Sequence, residues 1–494
     1  MTNSVVLGVD SSTQSCKVEV RDIDTGRLFA TGSAPHPPAF PPSSEQHPID
    51  WVTAFVAATR AALAGCTEPV TVRAISVAAQ CHGLVLLDAA GQPMRAAKLW
   101  NDTTGAPYLA RLTERIGARR WVLRIGSLPT AAFTIAKLAW VAHHEPALLD
   151  RSEAVLLPHD YLTYWLTGER VTDRSDASGT GYFDTTGGEW IAEYLNLAAG
   201  VRDWAPKLPK VLGPTERAGT VRAAVAAELG LPAGVVVAPG GGDQHAGYLG
   251  LGLTDGDQYF GLGTSGVVAT SSRSPVFDPT GMVDGVADLT GGYLPLVSTL
   301  NAARVGDVAA RLLGTDLAGL EELALAGGDT QGPVLVPFLD GERKPDRPDA
   351  RGTFVDITSH TTREELARAF VEGPLLSLLS GRDHLRAAGV ELSRGITAVG
   401  GGARSRATRQ LLADLSGEEV ITLDADEATA RGACVQAAAV AGGGGVGALV
   451  DLAKRWQPPV LGAATPREGG RDVAALRSRW SAVAQSPLID GAAS

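Results

Sequence analysis

One local pattern occurs twice in this chain, and it restricts the fold more than any other feature: an apolar strand, a tip rich in hydroxyls, then a second strand. The first copy lies at about residues 5–20, with Val5 to Val9, the tip Asp10-Ser11-Ser12-Thr13-Gln14-Ser15, and Lys17 to Arg21. The second lies at about 258–270, where Gln258-Tyr259-Phe260 leads through Gly261-Leu262-Gly263-Thr264-Ser265-Gly266 into Val267-Val268-Ala269. Apolar alternation around turn residues reads as a β-hairpin. A tip of hydroxyls, amides and free backbone N–H groups suits a phosphate, and each tip alone also reads as an ordinary Ser/Thr hairpin. Two copies predict a duplicated architecture with a phosphate site between the halves.

The stretch Gly240-Gly241-Gly242-Asp243 lies between the two copies, after the apolar run Val235-Val236-Val237 and before small residues of helical character. A strand-Gly-Gly-Gly-Asp-helix unit presents its carboxylate at a crevice, because glycines allow a sharp turn or a close approach to a ligand. Asp243 is thus the candidate catalytic base, and a simple N-cap is the other reading of the same residue. Near the second hairpin in kind, Ile396 to Val399, Gly400-Gly401-Gly402-Ala403 and Arg404-Ser405 again read as strand, glycine turn and helix, which lets backbone lie against a flat base or ribose.

The remaining elements fit a large α/β chain. Strands are expected at Leu28 to Gly32, Val72 to Ala78 and Leu84 to Leu87. Helices are expected after a capping Asp50, from Ala106 to Gly117, near 302–313, 316–326, 363–388 and 405–416, and from Asp472 to Ala484, before a polar, small-residue tail. At 494 residues the chain exceeds one ordinary core,. Its net charge of −11 argues against nucleic acid or an anionic membrane as partner,. Four cysteines without metal-ligand spacing fit a reducing, cytoplasmic setting,. The N-terminus lacks a signal-peptide pattern, and the apolar stretch Ala437 to Val450 is too short and glycine-broken to span a bilayer,.

The ordered set Gly8-x-Asp10…Thr13…Lys17, Cys81-His82-Gly83, Trp100-Asn101-Asp102, Asp160-Tyr161, Ser175 to Thr180, Gly240 to Asp243, Gly261 to Gly266 and Gly400 to Arg404 resembles the FGGY carbohydrate kinase family nearly end to end. The resemblance implies an α/β fold of two ribonuclease-H-like domains, of the actin and hexokinase superfamily, with the catalytic cleft between residues 1–251 and 252–494. It implies ATP and Mg²⁺ as cofactors, a small sugar as the partner, and allows a homodimer. The implied reaction is ATP-dependent phosphorylation of D-xylulose. Another ketose or polyol (ribulose, glycerol, erythritol) and a nucleotide-dependent binder without turnover are the alternatives.

Carried onto matching positions, the resemblance places Thr13, Gln14, Ser15 and Lys17 at the ATP phosphates, and Gly263, Thr264 and Ser265 over them from the other domain. It places Gly401, Gly402, Ala403 and Arg406 at adenosine. Cys81, His82, Gly83, Trp100, Asn101, Asp102 and Gln244 would hold the sugar, and Asp10 and Asp243 would stand at the metal. Phosphoryl transfer is catalysed mostly by positioning and electrostatics, with Asp243 accepting the hydroxyl proton and domain closure excluding water. A helix N-terminus is expected to lower the Asp243 pKa. The chain departs from the family at Ser12 (usually Gly), Cys81 (usually Met), Thr104 (usually Arg) and Gln244-His245 (usually Asn-Ala). Cys81 is expected to pack rather than react, His245 has no expected role, and Pro374 is expected to kink a helix or open one.

Overall fold

The computed structural model describes residues 2–328, 332–469 and 471–490. The end of the predicted tail, residues 491–494, lies outside them. Two mixed sheets form the frame. In the first, β1 (Asn3–Ser11) pairs antiparallel with β2 (Ser15–Asp22), which pairs with β3 (Leu28–Pro35). On its other side β1 runs parallel to β4 (Val70–Ala79), and the order closes with β6 (Val236–Val237) and β5 (Gly219–Thr220). In the second sheet, β8 (Gln258–Leu262) has the same neighbours: antiparallel β9 (Gly266–Ala269) on one side and parallel β12 (Ile396–Val399) on the other. The two predicted hairpins therefore hold equivalent places. Both central strands are near-continuous apolar runs because helices cover both faces of each sheet.

The second sheet is completed by β10 (Asp284–Ala287), β11 (Tyr293–Thr299), β13 (Val420–Leu423) and β14 (Val460–Ala464). Helices α5 (Arg304–Leu313), α6 (Leu317–Ala326), α7 (Arg363–Ala387) and α8 (Arg406–Ser416) cover it. Asp316 and Ser405 cap α6 and α8 by accepting from Gly319 and Thr408 N–H groups,. In α1 (Pro48–Ala64) the cap is His47, whose Nδ1 accepts from Ile49 N–H, and the expected cap Asp50 stands inside the first turn. Pro374 is neither at a helix start nor at a helix end; α7 runs through it, and it faces a cavity described below.

Two helices from the second half return to the first sheet. Helices α9 (Ala428–Ala441) and α10 (Val446–Arg455) bury Ala433, Cys434, Val435 and Leu449 against Val6, Ala74 and Ala78 of the first sheet. Helix α4 (Asp243–Gly250) packs against α9 and contributes Ala246 and Leu249 to the same core. The apolar stretch at 437–450 is thus the end of one helix and the start of the next. Among the described residues no helix is long and apolar enough to cross a membrane.

Candidate active site

Asp243 is seated by backbone geometry. Gly240 has φ +81°, and a Cβ there would meet the Val77 carbonyl oxygen at 2.4 Å, so only glycine fits,. The strand β7 (Gly241–Gly242) then pairs with Ala78 and Ala79, and α4 starts at Asp243. Gln436, on α9, clamps this turn: its Oε1 accepts from Gly240 N–H (3.0 Å) and Ser76 Oγ (2.6 Å), and its Nε2 donates to the Gly240 carbonyl (3.2 Å). The N-cap is Gly242, so Asp243 is the first helical residue and not a cap. Its Oδ1 accepts from Gln244 N–H (2.8 Å) and from the Cys81 thiol (3.3 Å).

The expected lowering of the Asp243 pKa does not occur. Burial raises it, and this outweighs the stabilising donors from Cys81 and the backbone,. The Cys81 thiol is itself raised, by burial and then by the charge of Asp243. Cys81 is therefore a neutral donor to the candidate base, a contact beyond the packing expected of it.

Two cavities share this carboxylate in their linings, and a third opens beyond the second hairpin tip. A cleft of about 380 Å³ runs between the hairpin tips, lined by Asp10, Ser12, Asp243, Gly263, Ser265 and Thr429. Asp10 is raised to about 8 by burial and by Asp243, and its Oδ1 is a buried oxygen without a hydrogen-bond partner. Two desolvated carboxylates on one cleft, one with an orphaned oxygen, fit a divalent cation completed by water and phosphate oxygens. Of the residues expected at the phosphates, Thr13 turns away, accepting from Trp100 Nε1 (2.9 Å) and donating to Gln80 (3.3 Å). Gln14 is exposed and Ser15 contributes its carbonyl to Ser12 N–H. Lys17 pairs with Glu427 at 2.7 Å, a partner 410 residues away that nothing local announces.

A second cavity, about 530 Å³, opens beside the second tip and is lined by Thr264, Leu317, Pro374, Leu375, Gly401 and Gly402. Its lining is mostly apolar with Arg304, Asp307 and Glu321 among it, which suits a purine base and its polar edge,. Ala403 is buried behind it, its carbonyl accepting from Thr422 Oγ1 (3.1 Å). Arg406 stays outside the lining because its N–H and guanidinium are held by Glu321 and Glu322.

The third cavity, about 220 Å³, is walled on one side by Cys81, His82, Trp100, Phe133, Asp243 and Gln244. His82 has φ +66°, a strained conformation for a non-glycine residue,. Its ring stacks on Phe133 at 5.3 Å and its pKa is pushed down to about 3 by burial and by nearby Lys137, so it is neutral. His245 is buried, and burial holds it down at about 4. Three expected sugar residues are not in the lining. Gly83 packs on Pro158. Asn101 points its Oδ1 into the protein. Asp102 is turned inward by the fully buried Lys98 (3.0 Å), by Ser44 N–H and by Thr104, a buried charge pair that leaves no oxygen for a ligand,. Thr104, where the resemblance leads to the expectation of Arg, accepts from Lys98 Nζ at 2.9 Å.

Behind the sugar wall the motif residues around 159–180 form a buried ionic cluster. His159 lies 3.0 Å from Asp160 and 3.4 Å from Asp173, while Asp176 accepts from His82 N–H at 3.1 Å. Burial alone would lower the His159 pKa, but its three carboxylates hold it up at about 9. The opposite wall of the sugar cavity comes from the second half: Asp284, Ser298, Arg343 and Lys344. Nothing local in the sequence marks any of these four as a site residue; Gly341 to Pro345 has only the glycine and proline of a turn,.

Residues 5–250 match the N-terminal domain of the FGGY family of carbohydrate kinases, and residues 259–441 match its C-terminal domain. The chain is 44% identical over 467 residues to a xylulose kinase of Streptomyces coelicolor, covering 93% of this chain and 92% of that one. It is 42% identical over 462 residues to a xylulose kinase of Streptomyces rubiginosus, covering 92% of each. The solved xylulose kinase of Bifidobacterium adolescentis superposes with a TM-score of 0.86 at 39% identity, covering 98% of this chain and 99% of that one.

Proposed function

The chain belongs to the FGGY family of carbohydrate kinases, and from that membership we propose that it transfers the γ-phosphoryl group of ATP to D-xylulose, yielding D-xylulose 5-phosphate. Two Streptomyces proteins similar to it over nearly the whole chain are xylulose kinases by name. The observation that carries the mechanism is Asp243: one half-buried carboxylate lines both the phosphate cleft and the sugar cavity. A hydroxyl held there has a proton acceptor on one side and an electrophilic phosphorus on the other, as in-line transfer needs.

In this reading burial makes Asp243 a stronger base than an exposed aspartate,. Donation from Cys81 and Gln244 to Oδ1 fixes the carboxylate plane. Asp10 and Asp243 would hold Mg²⁺ with water and phosphate oxygens; the ion supplies neutralisation of the developing phosphate charge. Residues 1–251 carry the base and most of the sugar wall, and residues 252–494 the adenosine cavity. Closure of the two sheets on the ligands would exclude water as a rival nucleophile. The reading extends to a cytoplasmic enzyme, from its four free thiols, and to a homodimer.

The test is ADP release with D-xylulose, L-xylulose, ribulose, glycerol and erythritol. D-xylulose is expected to give the highest kcat/KM, and Asp243→Asn to cut kcat by at least about 10³-fold while ATP still binds. Absence of sugar-stimulated release with every candidate overturns the kinase reading. Residual turnover of Asp243→Asn within tenfold of the parent overturns the role of the base.

A further inference from the structure

The sugar cavity has two walls from two halves of the chain, and only one wall is explained by the chemistry above. The second wall carries two cations, Arg343 and Lys344. Lys344 is spent: its Nζ donates to the Gly281 carbonyl and pairs with Asp284 at 3.3 Å. Arg343 is not. Its guanidinium donates once, to Ser298 Oγ at 3.3 Å, and among the described residues it makes no ion pair. A guanidinium carries five N–H donors in a planar fork, and a half-buried one needs acceptors for them.

The segment bearing Arg343 is held from behind. Its own N–H donates to Glu342 Oε1 at 2.7 Å, and the buried Glu342 also accepts from Leu300 N–H at 2.5 Å and Asn301 Nδ2 at 3.1 Å. Asn301 Nδ2 donates to the Gly341 carbonyl at 2.8 Å as well. A loop tied this firmly presents its side chain with little conformational cost. Arg343 lines the sugar cavity and not the phosphate cleft, so its free donors face the sugar. An open-chain ketose offers a carbonyl and neighbouring hydroxyl oxygens, which a planar fork can bond two at a time.

We propose that Arg343 is a specificity-determining residue: its guanidinium hydrogen-bonds ketose oxygens remote from the transferred phosphoryl group, and so couples sugar binding to approach of the second half. This rests on the kinase reading above. A three-carbon polyol whose hydroxyl reaches Asp243 has no oxygens left to span the cavity, so Arg343 separates ketopentoses from glycerol.

The test is steady-state kinetics of the full chain and of Arg343→Met and Arg343→Lys, with D-xylulose and with glycerol. Hydrogen bonds from a charged donor are each worth about tenfold to a hundredfold in binding. Arg343→Met is expected to raise KM for D-xylulose about 30-fold and leave KM for ATP within about threefold, and to bring the ratio of kcat/KM for D-xylulose over glycerol down by a similar factor. Arg343→Lys, which keeps the charge and the fold but loses the fork, is expected to raise the D-xylulose KM by about fivefold. An unmoved D-xylulose KM in both variants overturns the inference. So does a parallel rise of the sugar and ATP constants, which marks a structural role. If Arg343→Met does not fold, the result for Arg343→Lys alone decides. Should the parent chain itself ignore D-xylulose, it is the kinase reading that falls, and the two failures are distinct.

Discussion

Replacing Gly432 by alanine perturbs a close backbone approach through which the second half seats the candidate base. Helices α4 and α9 approach so closely that a Cβ on Gly432 would lie 1.8 Å from the Ala246 carbonyl oxygen, 2.7 Å from its carbon and 3.0 Å from Gly250 N. Ordinary contact begins at 3.4 Å, so the helices must part by about 1.6 Å along that vector. Every offending atom is backbone, and no rotamer change relieves the clash. Overpacking of this kind costs about 1–3 kcal/mol, and more where nothing can yield. Asp243 opens α4 one turn before Ala246, and a misplacement near 1 Å costs roughly 10² in rate. Gly432→Ala is therefore expected to lower Tm by several degrees and kcat about 100-fold in the coupled ADP assay. Gly442→Ala is the control: at the C-cap of the same helix, its Cβ would meet nothing closer than 3.5 Å, and both quantities should stay at parental values. A folded Gly432→Ala protein with parental Tm and kcat within threefold refutes the claim that this approach seats the base.

Two further outcomes follow from contacts of the same site. Cys81→Ala removes one of two donors to Asp243 Oδ1 and should reduce kcat about fivefold with sugar KM little changed, while Cys81→Ser restores most of it, as worth a single hydrogen bond; a drop confined to KM would reduce the thiol to packing. His159 is held at about 9, above its ordinary 6.5. A raised folded-state pKa contributes stability that is complete below pH 6.5 and lost as pH climbs through 9, with a slope of at most about 1.4 kcal/mol per pH unit. Urea midpoints at pH 6.5, 7.5 and 9 should fall in the parent and lose that slope in His159→Gln; the same slope in the variant would assign the effect elsewhere.

Much of the frame is legible because it is written in local chemistry. The hairpin tips, the strand before Gly240 and the caps at Asp316, Ser405 and Asp472 depend on residues a few positions apart, and each formed where its residue types require. The candidate base is legible for the same reason: three glycines and an Asp between a strand and a helix leave few backbone paths. Residues expected at the sugar were legible only as a segment. Trp100 reaches the cavity while Asp102, two positions on, turns inward to a buried Lys98, and sequence adjacency holds no information on which way a side chain points.

What the sequence by itself determined is therefore the set of turns, the duplicated sheets and the identity of the carboxylate between them. Tertiary structure decided the environment of that carboxylate. Its pKa rises because the folded chain desolvates it, against the local dipole that would lower it. Its turn is clamped by Gln436, nearly 200 residues later, Lys17 of the first tip is claimed by Glu427, and the far wall of the sugar cavity comes from Arg343 and Lys344. Desolvation and Coulomb interactions depend on distance in space, and only folding sets those distances.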